Sequence, residues 1–245
     1  MKLTYHPLGD TGMQLVFGQT ISEETNQKIR LFADVLKAGR IEGIIEWVPA
    51  YTTISIFYRP DKIGYNALQQ KLEDLYENIQ GGAADAASLV YEIPTYYGGE
   101  TGPDLDFVAD HNGLSVDEVI RIHSSQEYLI YMMGFVPGFP YLGGMPEEIA
   151  TPRRSDPRPK IPAGSVGIAG SQTGMYPLET PGGWQIIGQT PVKLYDPGRE
   201  QPILLTSGHY VKFVPISKER YDDIAESIRL GEYTINSYRK GGGLV

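Results

Sequence analysis

The sequence predicts a two-part chain: a small α+β domain built on a ferredoxin-like split β-α-β unit, then a larger, mainly-β domain with short helices. Three observations carry this. Before residue 82, β-like segments alternate with two helix-period segments. From Glu127 to Phe213 there are only short apolar runs cut by Gly and Pro, the pattern of a barrel or sandwich. Between them lies a run of small residues, GGAADAAS at 81–88. The domains are therefore set at 1–82 and 89–245, with 83–88 as linker.

Residues 3–7 and 13–17 alternate as strands. Ser22 precedes Glu23 and Glu24, an N-cap followed by an acidic first turn. Ile29, Phe32, Ala33 and Leu36 recur at helical spacing, and Gly39 stands where a left-handed cap belongs. Ile44–Val48 and Thr53–Tyr58 read as a hairpin, and Tyr65–Gln80 as a second helix burying Leu68, Leu72, Leu75 and Ile79. Leu89–Pro94 either closes the first sheet or opens the second. Two short helices follow, the second opened by the capping box Ser115-x-x-Glu118 with Val116, Val119, Ile120 and His123 on one face. Strands are expected at 127–133, 165–169, 184–188, 191–195, 202–205 and 209–214, and a last helix at Lys218–Leu230 after Ser217.

Composition excludes several classes of function. With 245 residues, 41% of them hydrophobic, the chain can bury its own core, and the absence of cysteine excludes disulfides, thiolate nucleophiles and cysteine-ligated zinc. The net charge of −9 argues against nucleic-acid binding. It is unevenly spread: −2 over residues 1–82, −10 over 83–150 and +3 over 151–245, with Arg153, Arg154, Arg158 and Lys160 just after the acidic third. No apolar run reaches the roughly 20 residues of a membrane span, and the opening MKLTYHPLGD lacks the apolar core of a signal peptide. A cytoplasmic protein without membrane contact is expected.

The functional surface is expected in two Gly/Pro/aromatic-rich stretches, 134–144 and 161–188. Phe135, Phe139, Tyr141, Tyr176 and Trp184, with Pro137, stand on shaped turns where a ligand or partner can reach them. They read equally well as hydrophobic plugs at a barrel end. The string Ala163-Gly164-Ser165-Val166-Gly167 has more strand after it and is no nucleophile elbow; GSVGIAGSQTG at 164–174 lacks the lysine of a phosphate-binding loop. The four histidines show no metal-ligand spacing, so no metal site is expected. His123 lies on an apolar helix face, as a core residue or an acid–base group would. Gln172, Thr173 and Gly174 offer neutral donors beside Tyr176.

Four strings now carry a resemblance: PTYYGGETGPDLDFVA (94–109), YMMGFVPGFPYLGGMP (131–146), TPRRSDPRPKIPAGSVGIAGSQTGMYPLETPGGWQIIGQTPVKLYDP (151–197) and PIS at 215–217. The chain resembles the family of 5-oxoprolinase B subunits, which includes a sporulation histidine-kinase inhibitor and is similar to allophanate hydrolase subunit 1. The resemblance implies a cyclophilin-like barrel for the second domain and a bacterial, cytoplasmic protein. It implies that the chain works with subunits C and A to open 5-oxo-L-proline to L-glutamate. ATP is used by the complex and no cofactor is bound by this chain alone. In the inhibitor the barrel instead docks on the helices of a sensor histidine kinase, and in the allophanate relative the target is another amide. The family's signature positions include Gly98, Gly99, Gly102, Asp104, His123, Gly134, Gly138, Gly182 and Gly183 here. Tyr96 replaces a frequent cysteine, and Thr101 a frequent aromatic.

On the enzyme reading, Arg153 or Arg154 is expected to hold the substrate carboxylate and Gln172 and Thr173 to bond its polar atoms. Phe135, Phe139 and Trp184 would exclude water, and His123 would act as general acid or base. On the inhibitor reading the loop from Phe135 to Tyr141 is the docking surface.

Overall fold

The computed structural model describes residues 3–79 and 88–241, so nearly all of the expected linker at 83–88 lies outside the described residues. The chain divides into two compact units, Met1–Ala86 and Ala87–Val245.

The first unit runs β1 (Thr4–Leu8), β2 (Gly12–Val16), α1 (Glu23–Gly39), β3 (Ile44–Pro49), β4 (Thr53–Tyr58) and α2 (Tyr65–Ile79). Its sheet order is β1-β2-β4-β3, antiparallel throughout. The two strands that flank α1 are not neighbours, because β4 lies between them. The edge beside β2 belongs to β1, so no strand after α2 is needed to complete this sheet. Met13, Leu15, Ile54 and Ile56 pack with Ile29, Phe32 and Leu36 of α1 and Leu68 and Leu72 of α2 in one core. Phe17, Phe32 and Tyr76 meet edge to face at 5.3–6.1 Å. Ser22 Oγ accepts from Thr25 N as the cap of α1. At the other end the helix runs through Gly39, and the left-handed residue is Arg40 (φ 39°), one position later than expected.

The second unit runs β5 (Leu89–Tyr97), α3 (Leu105–Asn112), α4 (Val116–Ser125), β6 (Tyr128–Met133), β7 (Pro140–Gly143), β8 (Arg158–Ile161), β9 (Ser165–Ala169) and β10 (Gln172–Met175). It continues with β11 (Thr180–Gly182), β12 (Gln185–Gln189), β13 (Tyr210–Pro215), α5 (Lys218–Leu230) and β14 (Ser237–Arg239). The main sheet has the order β10-β9-β12-β5-β13-β6-β7, with β14 also on β5. Its end strands β10 and β7 touch, so the sheet curls into a nearly closed barrel. β5 is its central strand, and β13 is its parallel partner from Tyr210–Val90 to Pro215–Thr95. β8 and β11 form a separate two-stranded ribbon.

Ile93, Ile130, Val166, Ile168, Val211 and Phe213 fill the barrel, covered by Val108 of α3 and Val119 of α4. Residues 191–195 and 202–205, expected as strands, meet only in one isolated bridge, Tyr195–Ile203. Asp196 N donates to Pro202 O at 2.8 Å and Leu204 N to Leu194 O at 2.9 Å, and Pro191 and Pro202, with no N–H of their own to donate, limit any longer ladder.

Candidate functional site

The aromatic residues singled out in the sequence meet on the outer face of β9, β10 and β12, opposite Val166, Ile168 and Met175 of the barrel core. Phe139, Tyr176 and Trp184 are buried there with Ile161, Ala169 and Ile186. Phe139 lies 5.3 Å from Tyr141, 5.8 Å from Tyr176 and 5.8 Å from Trp184, and Tyr176 lies 6.0 Å from Trp184. Phe139, Tyr176 and Trp184 are therefore a buried aromatic plug on the outer wall of the barrel rather than at its end, and not a surface open to a ligand. Gly174 faces the plug: a Cβ there would stand 3.1 Å from the Trp184 ring, so the indole would have to give by a few tenths of an ångström.

Phe135 differs from its neighbours in both exposure and backbone. It is 64% exposed and its ring stands edge-on to Phe139 at 5.6 Å. Its φ is +64°, and Val136 N donates to Gly134 O at 2.7 Å across it, a tight three-residue turn that is strained for a residue with a Cβ. Pro137 beside it is also exposed, and Tyr141 is half-buried.

Of the three arginines singled out in the sequence, two converge on a carboxylate that was not among the expected site residues. Asp104 is buried, and four donors fill its oxygens. Arg158 Nη2 and Arg154 Nη1 donate to Oδ1 at 2.7 and 3.2 Å; Arg158 Nη1 and Ile186 N donate to Oδ2 at 2.8 and 2.6 Å. Asp104 N in turn donates to Ile186 O at 2.9 Å. Arg153 points to solvent, close enough to Tyr176 for its charge to oppose the rise that burial gives that phenol, which stands at about 12. The sequence signal for Asp104 was its place in the GGETGPD string; its arginine partners lie 50 and 54 positions away, beyond any local pattern.

His123 is fully buried. Its Nδ1 lies 2.8 Å from Tyr97 Oη and its Nε2 2.7 Å from Thr173 Oγ1, whose hydroxyl donates to Gly167 O at 3.0 Å. Because the Thr173 proton is committed to Gly167, Nε2–H is the donor to Thr173 and Nδ1 accepts from Tyr97. Burial lowers the His123 pKa to about 3, so the ring is neutral. Thr173 is 1% exposed, and the one proton of its hydroxyl is already committed, so it has none to donate to a substrate. The expected acid–base and substrate-bonding roles of these two residues meet a closed relay that ties α4 to β5, β9 and β10. Gln172, at the start of β10, is half-buried. The glycine triplet 164, 167 and 170 belongs to β9 and the turns at its two ends.

Two clefts, of about 510 and 310 Å³, run between α5 and the segment 190–199 and share Val192, Lys193, Asp196 and Ile228. Neither is lined by a residue expected to bind substrate or partner. Among the described residues no group of three or more His, Asp or Glu side chains could hold a metal ion, and no helix is long and apolar enough to cross a membrane.

Residues 3–205 match the carboxyltransferase domain, subdomain C and D, and the chain belongs to that family. Within it, the chain is 46% identical over 224 residues to the 5-oxoprolinase B subunit of Bacillus subtilis (strain 168), covering 87% of this chain and 93% of that one. It is 25% identical to the urea amidolyase of Lachancea kluyveri over 96% of its own length but 14% of that enzyme's. The crystal structure of the Kluyveromyces lactis urea carboxylase superposes with a TM-score of 0.77 at 21% identity, over 96% of this chain and 24% of that one, a likeness of fold.

Proposed function

We propose that this chain is the B subunit of a heteromeric, ATP-dependent 5-oxoprolinase, which acts in the cytoplasm with subunits A and C and opens 5-oxo-L-proline to L-glutamate. The observation that carries this reading is the 46% identity over nearly the full length of a named 5-oxoprolinase B subunit. In the reaction water supplies oxygen to the lactam carbonyl carbon and the C–N bond breaks. An amide carbon is a poor electrophile; transfer of the γ-phosphoryl group of ATP, a substrate of the complex, to its oxygen releases ADP and activates it, and once water has added and the C–N bond has broken to free the amine, a second water releases phosphate from the resulting acyl phosphate. The C-terminal unit, read as a cyclophilin-like barrel, contributes a binding face rather than a nucleophile. Its half-engaged Arg154 and exposed Arg153 are suited to the substrate carboxylate. Gln172, half-buried at the start of β10, belongs to the same expected set, and Phe135 is the exposed apolar group that would shield the site.

The reading is tested by combining the purified chain with subunits A and C from the same cell and following glutamate release from 5-oxo-L-proline and ATP. Turnover is expected from the three together and none from this chain alone. Glutamate release by the lone chain, or allophanate as the better substrate of the assembly, would overturn it; the urea amidolyase likeness is what makes the second outcome worth measuring.

A second reading, inhibition of a sensor histidine kinase, is favoured by Phe135 alone: a strained, exposed ring over a rigid plug has the form of an interface anchor. Phe135→Gly removes the ring and relieves the backbone, so the fold should persist. Loss of kinase binding without loss of oxoprolinase turnover would assign Phe135 to inhibition, and the reverse would assign it to the enzyme.

A further inference from the structure

We propose that Asp104 and Arg158 are positioning residues that aim Arg154 at an incoming carboxylate, and that this cluster selects a lactam bearing an acid group over the same ring without one. The inference rests on the oxoprolinase reading and names the basis of its substrate choice.

The division of labour follows from counting donors. Asp104 is anchored through its backbone and its side chain: its own N–H donates to Ile186 O and its Oδ2 accepts from Ile186 N, while Gly98 N at the start of the same loop donates to Ile187 O at 3.0 Å. Four donors saturate its carboxylate, so it has no capacity left for a ligand. Arg158 spends both Nη atoms on that carboxylate in the two-pronged geometry that fixes a guanidinium plane. Arg154 is engaged only in part. Its Nη1 reaches Asp104 and its Nε reaches Asp156 O at 3.3 Å, while no hydrogen bond from its Nη2 is made among the described residues. Its side chain is one-third exposed, at 34%, against 24% for Arg158.

One guanidinium is thus tethered by a buried charge, keeps uncommitted N–H groups in a one-third-exposed side chain, and adjoins the exposed Arg153 in the chain. Residues 153–158 carry three arginines against Asp156, and Asp104 adds one more negative charge, so positive charge remains in excess at this point of an acidic chain. A carboxylate fits that edge, since two parallel N–H donors match its two oxygens. A neutral lactam lacks the matching group.

The test uses the assembled enzyme and two ligands, 5-oxo-L-proline and 2-pyrrolidinone, the same ring without the carboxylate. Binding of each is measured by calorimetry, and KM and kcat for 5-oxo-L-proline in parallel. For Arg154→Ala, affinity for 5-oxo-L-proline should fall about 10- to 100-fold, the loss of a charge-assisted pair, with kcat nearly unchanged and 2-pyrrolidinone binding unmoved. Asp104→Asn should shift the same ratio in the same direction because Arg154 loses its tether. If that variant does not fold, Arg158→Lys, which keeps the charge and loses the fork, reads the same point. Equal loss for both ligands, or for neither, overturns the inference and leaves the oxoprolinase reading standing. A wild-type assembly that prefers 5-oxo-L-proline but does not open it overturns that reading and leaves the inference standing; a wild-type assembly with no preference overturns the inference.

Discussion

At the scale of single residues, His123 illustrates how neighbours withdraw a titratable group from chemistry. The ring sits among Tyr97, Tyr128 and Phe213, with Phe213 4.5 Å from it, and both nitrogens are bonded. Its pKa falls from 6.5 to about 3 on folding, so below pH 6.5 the unfolded chain binds a proton that the native chain refuses. This contribution is nil above pH 6.5 and lowers stability as pH drops from there toward 3, by about 1.4 kcal/mol per pH unit for one proton. A His123→Gln variant, whose amide can still accept from Tyr97 and donate to Thr173, should show a stability–pH slope flatter by that amount between pH 6 and 5 in urea titrations. An unaltered slope would mean that His123 does protonate in the folded chain. The Asp104 cluster makes the complementary point. The adjacent pair Arg153 and Arg154 looked like a unit in the sequence, but the structural pair is Arg154 and Arg158, because a distant carboxylate chooses which arginines meet. Likewise no residue pattern announced the positive φ of Phe135, since it is imposed by the closure of the turn between β6 and β7.

At the scale of elements, local signals were reliable wherever a helix or a turn depends on nearby atoms. The capping box at Ser115 and Glu118 forms as expected, Ser217 Oγ caps α5 by accepting from Arg220 N, and β3 and β4 form the hairpin. Partnership between strands was not legible. The sequence reads Leu89–Pro94 as a strand but cannot say that it runs on to Tyr97 and lies between β12 and β13, nor that β1 takes the edge place beside β2. The barrel has a seam: β7 pairs with β6 and β10 with β9, while β7 and β10 touch without a ladder among the described residues. Amide exchange should accordingly be faster in residues 140–143 and 172–175 than in β5 and β13. Uniform protection around the barrel would mean that hydrogen bonds close the seam.

At the scale of the whole molecule, the two units have separate cores: no residue of the cluster around Phe32 belongs to the cluster around Phe213. Each core gathers sheet and helix residues from its own unit, so each unit should fold without the other. A fragment of residues 88–241 is expected to keep the near-ultraviolet circular dichroism of its aromatic plug and a cooperative thermal transition; loss of both would show that its core depends on the first unit. The amino-acid sequence by itself determined the helices, several of the strands and the family, because helical period, strand alternation, caps and long motif strings are written in contiguous residues. Only the tertiary structure decided which rings are plug and which is surface, that His123 and Thr173 are spent on each other, and that Asp104 sorts its arginines into one held and one half-engaged. Burial and hydrogen-bond saturation are properties of groups brought together from 50 or more positions apart, and spacing along the chain does not encode them.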